Sequence, residues 1–201
     1  MVTFPRFTPP TPRESGKNLP RARLLIAGTG NIFLGDDGFG VEVAEALAGE
    51  TFSPRVVVRD FGIRRHDLAF ALTDSLDAAI LLEATPRHER PGTLTLLELA
   101  QPFPDPAVPE WQNHRLDPGA VLKLAATFGT LPPLLFLVGC EPATLGDEAG
   151  AIGLSPAVRA AVPRAMEIIR HLVSRLTCSP LPHPGPRFAT APDHEPRPWR
   201  P

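Results

Sequence analysis

The chain has little cysteine: two residues in 201, Cys140 and Cys178, too few for a disulfide scaffold and too far apart for a CxxC metal or redox pair. It also lacks long apolar runs. Stretches such as Leu134 to Val138 fall far short of the ~20 residues a membrane helix needs. Residues 1–20 have no apolar core of the kind a secretory signal carries. Neither sign of charge dominates, with 22 Asp and Glu against 20 Lys and Arg and no long block of either. That argues against nucleic-acid binding through a basic face. No Gly-x-Ser-x-Gly elbow is present and neither cysteine has an obvious histidine partner, so no residue pair suggests nucleophilic catalysis. These absences lead us to expect a soluble, cytoplasmic protein with neither nucleic acid nor membrane among its partners.

Proline, by contrast, is abundant: 26 of 201 residues, about 13% against a typical ~5%. Thirteen of these lie in residues 1–20 and 180–201. Each removes a backbone donor and fixes φ, so neither helix nor central strand is expected there. We therefore divide the chain into a proline-rich disordered N-terminal arm (1–20), one folded domain (21–178) and a proline-rich disordered C-terminal tail (179–201).

Within the domain, short apolar runs alternate with helical periods. Arg23 to Gly28, Arg55 to Asp60, Ala78 to Glu83, Thr93 to Leu99 and Leu134 to Gly139 read as five strands. Helices are predicted over 38–49, 66–76 and from Pro118 to about Phe128, the last opened by an Asp117-Pro118 cap. The final helix is the clearest. Ser155-Pro156 caps it, and Val158, Val162, Ala165, Ile169, Leu172 and Leu176 recur at steps of 4, 3, 4, 3 and 4, with Pro163 as a candidate kink. The expected fold is α/β, a three-layer sandwich with a central mostly parallel five-stranded sheet flanked by helices. In such folds ligands gather at the C-terminal ends of the strands.

After the first strand comes Gly28-Thr-Gly-Asn-Ile-Phe-Leu-Gly-Asp-Asp-Gly-Phe-Gly40. A dinucleotide fingerprint fails on spacing, because Phe33 stands where the third glycine belongs. Two carboxylates at a helix start would also repel a pyrophosphate. The chemistry at this edge points elsewhere. One acid of the Asp36-Asp37 pair, Asp60 at the end of the second strand, and His114 from the long loop 101–113 and its sequel arrive from three separate segments. Such a mixed oxygen and nitrogen set suits a borderline divalent metal and leaves open coordination positions. Spacing alone does not choose between Asp36 and Asp37.

These residues resemble those of the nickel–iron hydrogenase maturation endopeptidases, peptidase family M52. The resemblance rests on Gly28 to Val41, then Asp60-Phe-Gly-Ile, Pro91-Gly-Thr, His114-Arg-Leu-Asp-Pro118, Val138-Gly-Cys-Glu-Pro142 and Gly153-Leu-Ser-Pro156, in that order. It implies that Asp37, Asp60 and His114 are both the metal ligands and the catalytic residues. It further implies an endopeptidase that removes a short C-terminal peptide from a nickel-loaded hydrogenase large-subunit precursor. The nickel is then supplied by the substrate, and the mechanism is aspartic-type or metal-assisted. Expected partners are that precursor and other hydrogenase maturation proteins, with the enzyme itself a monomer. Many members continue the second acid as Asp-Gly-Gly-Thr and place Asp where this chain has Glu83. A non-catalytic maturation scaffold working through the proline-rich arms is the competing expectation.

Overall fold

The computed structural model describes residues 23–99, 118–146 and 150–178. The two terminal arms, and the loop carrying Trp111, His114 and Asp117, lie outside the described residues. Five strands form one sheet: β1 (Leu24–Thr29), β2 (Val56–Gly62), β3 (Ala78–Ala84), β4 (Leu94–Glu98) and β5 (Leu134–Cys140), in the order β2-β1-β3-β5-β4. Four run parallel, while β4 pairs antiparallel with β5 at one edge. Four helices surround the sheet: α1 (Phe39–Ala48), α2 (Arg65–Ala71), α3 (Pro118–Phe128) and α4 (Pro156–Cys178). The expected three-layer α/β sandwich is the architecture observed.

The near-continuous apolar strands serve two cores because successive side chains point to opposite faces. Leu24 and Ile26 of β1, Ile80 and Leu82 of β3, and Phe136 and Val138 of β5 pack with Phe39, Val43 and Leu47 of α1 and with Val158, Ala165, Ile169 and Leu172 of α4. The alternate residues Leu25, Ala27, Leu81, Leu135 and Leu137 pack with Leu68, Val121, Leu122 and Ala125 from α2 and α3. So α1 and α4 cover one face, and α2 and α3 the other.

Two helix expectations need correction. The second helix ends at Ala71 rather than 76, because the chain turns at Thr73 to Ser75, where Ser75 takes a φ of 51° that no helix accommodates. At the start of α4, the buried Ser155 Oγ has no hydrogen-bond partner, so the serine side chain is not the cap. The helix nevertheless starts at Pro156 as expected, and the Ser155 N–H donates to Asp36. Pro163 lies on the exposed side of α4, which continues through it as one 23-residue element.

The strand order sets the location of the site. β1 leads through α1 to β2 on one side, whereas β3 lies on its other side and leads away towards β4 and β5. The C-terminal ends of β1 and β3 therefore flank the point where connections diverge, the usual crevice of an open α/β sheet.

Candidate active site at the strand ends

The loop after β1 folds tightly against its neighbours, and glycine makes this possible at two positions. Gly30 has φ 125°, and a Cβ there would lie 1.8 Å from the Asp37 carbonyl oxygen. Gly40, in the first turn of α1, lies so close to the strand ends that a Cβ would meet the Leu82 carbonyl oxygen at 2.0 Å and that of Thr29 at 2.4 Å. Between them a short 3₁₀ turn, Gly35–Gly38, carries both acids. The Thr29 hydroxyl donates to the Leu82 carbonyl at 2.9 Å, closing β1 against β3 beneath the turn.

Asp36 and Asp37 have different surroundings. Asp36 is fully buried, its Oδ2 accepting the N–H groups of Ala143 (2.8 Å) and Thr144 (3.2 Å) and its Oδ1 that of Ser155 (2.6 Å). Three charge-assisted bonds tie the 3₁₀ turn to the segment after β5 and to the start of α4, where the helix dipole also favours a negative charge. Asp37 is half-buried, and its Oδ2 accepts the Asn31 N–H at 2.7 Å. The structure thus makes Asp36 the buried clamp, while Asp37 stays partly exposed on the loop after β1.

Asp60 reaches the same edge through a bulge. Gly28 opposes Asp60 and Thr29 opposes Gly62, so Phe61 is the extra residue in β2. Phe61 turns inward, 2% exposed, into the core formed with α2 and α3. The Gly30 N–H donates to the Gly62 carbonyl at 3.1 Å, which joins the β2 end to the loop that holds Asp37. Asp60 Oδ2 stands 4.0 Å from Arg64 Nη2, and Arg64 also donates to the Asp60 carbonyl and pairs with Asp67. The other carboxylate oxygen, Asp60 Oδ1, is buried with no hydrogen-bond partner.

His114 lies outside the described residues, so the structure brings together two of the three expected site residues and leaves the third undescribed. Among the described residues no three His, Cys, Asp or Glu side chains gather into a metal cluster. The element nearest His114 in sequence is α3, which starts four residues later at Pro118. Its far end is close to the bottom of the sheet, where Gly129 packs on Thr73 just ahead of β3. The helix therefore begins towards the C-terminal edge that holds Asp37 and Asp60.

Cys140, Glu141 and Glu83 are the other buried reactive or acidic groups near the strand ends. Cys140, fully buried, has its thiol pushed up to about 12, by burial first and then by the negative charges of Asp36 and Glu141. It stays protonated and is no nucleophile. Glu141, whose role sequence reasoning missed, accepts the Arg87 N–H at 2.6 Å and fastens the segment after β3. Glu83 is buried at the end of β3. Among the described residues no helix is long and apolar enough to cross a membrane.

The fold is a three-layer α/β sandwich, with Asp37 on the loop after β1 and Asp60 near the end of β2. A family model described as hydrogenase maturation protease matches residues 41–172. The "Hydrogenase expression/formation protein HupD" of Rhizobium leguminosarum bv. viciae is 30% identical over 173 residues, 83% of this chain and 76% of the relative. The "Hydrogenase 2 maturation protease" of Escherichia coli strain K12 is 32% identical, covering 72% of this chain and 87% of that protein. Among solved structures, the hydrogenase maturating endopeptidase HybD from E. coli superposes with a TM-score of 0.61 at 29% identity, over 76% of this chain and 93% of that one. The chain belongs to the hydrogenase maturation protease family, which makes it a protease and so a hydrolase. The family match begins at Val41, so it includes Asp60 and His114 but not the turn that carries Asp37.

Proposed function

We propose that this protein is an endopeptidase that removes a short C-terminal peptide from the large-subunit precursor of a nickel–iron hydrogenase, and that Asp37, Asp60 and His114 recognise the nickel already installed in that precursor. The reading draws on the family membership and on relatives named as hydrogenase maturation proteases. The observation that carries the site assignment is Asp60 Oδ1, a buried carboxylate oxygen without a donor. Such an oxygen costs about 1–3 kcal/mol if left unsatisfied, and a cation brought by the substrate would offset that cost. Asp37 sits on the loop hydrogen-bonded to the same strand end.

The metal here is part of the substrate. Two carboxylates and an imidazole suit a borderline divalent ion and leave positions for the precursor's own ligands. Cleavage then depends on metal loading, because without the ion Asp37, Asp60 and His114 have nothing to engage on the precursor. The ion either positions the scissile bond or polarises its carbonyl and a water.

The test is to incubate the full chain with nickel-loaded and nickel-free precursor and follow the released peptide by mass spectrometry. Release from the loaded form alone is expected. Equal release from both forms would remove nickel recognition. Capture of the precursor without release would favour the non-catalytic scaffold.

A further inference from the structure

Seven large hydrophobic side chains are exposed among the described residues, and four of them, Ile32 (47%), Phe33 (61%), Ile63 (66%) and Ile152 (88%), lie on the loops that build the site. Of the others, Phe70 and Phe128 stack on each other with ring centroids 4.4 Å apart, and Val57 stands alone on the outer strand β2. The four are presented by backbone that is tied down. The Asn31 side chain accepts the Phe33 N–H, and the Phe33 carbonyl accepts the Ala151 N–H at 2.9 Å. The Ala151 carbonyl accepts the Gly35 N–H at 2.6 Å, while Gly30 is bonded to Gly62, the residue before Ile63. These bonds link Ile63, Ile32, Phe33 and Ile152 along one rim beside Asp37 and Asp60.

We propose that this rim is the surface that grips the precursor's C-terminal segment, and that it selects an uncharged, apolar stretch next to the cut. The inference rests on the processing function proposed above. Segments 30–35 and 150–155 contain no charged residue, and Arg64, next to Ile63, is already engaged by Asp60 and Asp67, so the rim is mainly apolar surface. Apolar side chains held in water around a polar site mark a contact surface, and these loops are hydrogen-bonded to the turn that carries Asp37 and to the strand end that carries Asp60. The metal ligands then check that nickel is present, while the rim supplies sequence preference independent of the ion.

The experiment measures both Kd for nickel-loaded precursor and the steady-state cleavage constants, using full-length wild type, Phe33→Ser, Ile152→Ser and, away from the rim, Phe70→Ser. Each rim variant is expected to raise Kd and KM roughly tenfold, with kcat largely retained and the melting temperature unchanged. Phe70→Ser should leave Kd and KM as in wild type. If wild type cuts and both rim variants keep the wild-type KM, the rim assignment is overturned while the processing function stands. If wild type binds precursor but does not cut it, processing fails, and the Kd values of the rim variants still decide the rim. If wild type neither binds nor cuts, both are overturned.

Discussion

Adjacent in one 3₁₀ turn, Asp36 is fully buried and Asp37 partly exposed, and their substitutions should separate stability from activity. Asp36→Ala strips three partly buried N–H groups of their acceptor. It is expected to lower stability by about 3 kcal/mol in a denaturant titration. Asp37→Asn keeps an oxygen for the Asn31 N–H and should leave the unfolding midpoint within about 0.5 kcal/mol of wild type. In the precursor assay it should nevertheless abolish processing. Wild-type cleavage by Asp37→Asn would remove Asp37 from the site. The choice between these acids was not legible in the sequence, since both sit at a helix start and both have the residue type that caps one. It depends on which acid faces Ala143 and Ser155, more than 100 residues away in the chain. Asp60 was legible as a strand-end acid, but its unpartnered oxygen and the bulge at Phe61 were not, because bulges come from pairing with a neighbouring strand.

At the scale of elements, α1 is held by how closely it approaches the sheet. Gly40→Ala would place a methyl group 2.0 Å from the Leu82 carbonyl oxygen. The helix must shift, which should cost about 2–3 kcal/mol and displace the turn that carries Asp37. A loss of cleavage in Gly40→Ala larger than the loss of stability explains would show that coupling. At its other end, α1 is tied to α4 by Glu50, just beyond Ala48, which accepts from both Arg170 Nε and Nη2. The Arg170 guanidinium holds the Glu50 carboxyl below its ordinary value. A lowered folded-state pKa contributes stability above the unfolded value, about 4.3, and that contribution is lost as pH falls through the folded value. The melting temperature of Glu50→Gln should accordingly lie slightly below wild type at pH 7, with the gap closing below pH 4 as Glu50 protonates. A gap that persists at low pH would assign the effect to packing. The strands and helices themselves were largely legible, from β1 to the period of α4. The misread boundary was the end of α2, which stops at Ala71 rather than 76; the start of α4 at Pro156 fell where Ser155-Pro156 placed it, although the serine side chain makes no capping bond.

For the whole molecule, the sheet separates two cores, and Cys140 reports on the integrity of the one beneath the site. Fully buried and with its thiol pushed up to about 12, it should resist alkylation at pH 8 in the native state and react only when the domain opens. Peptide mapping of the modified residue checks this, and rapid native labelling at Cys140 would contradict a closed core. The α/β sandwich and its crevice could be anticipated from strand and helix alternation, because parallel strands buried on both faces need a continuous apolar run and a crossover helix. Membership of the maturation protease family followed from local motifs in the same way. Sequence alone also nominated the strand-end acids, since their type and distance from the apolar runs are local properties. Tertiary structure alone decided which acid is clamped, which carboxylate oxygen is left without a donor, and which hydrophobic side chains surround the site. Each of these depends on loops that are far apart in sequence and meet only once the sheet has formed.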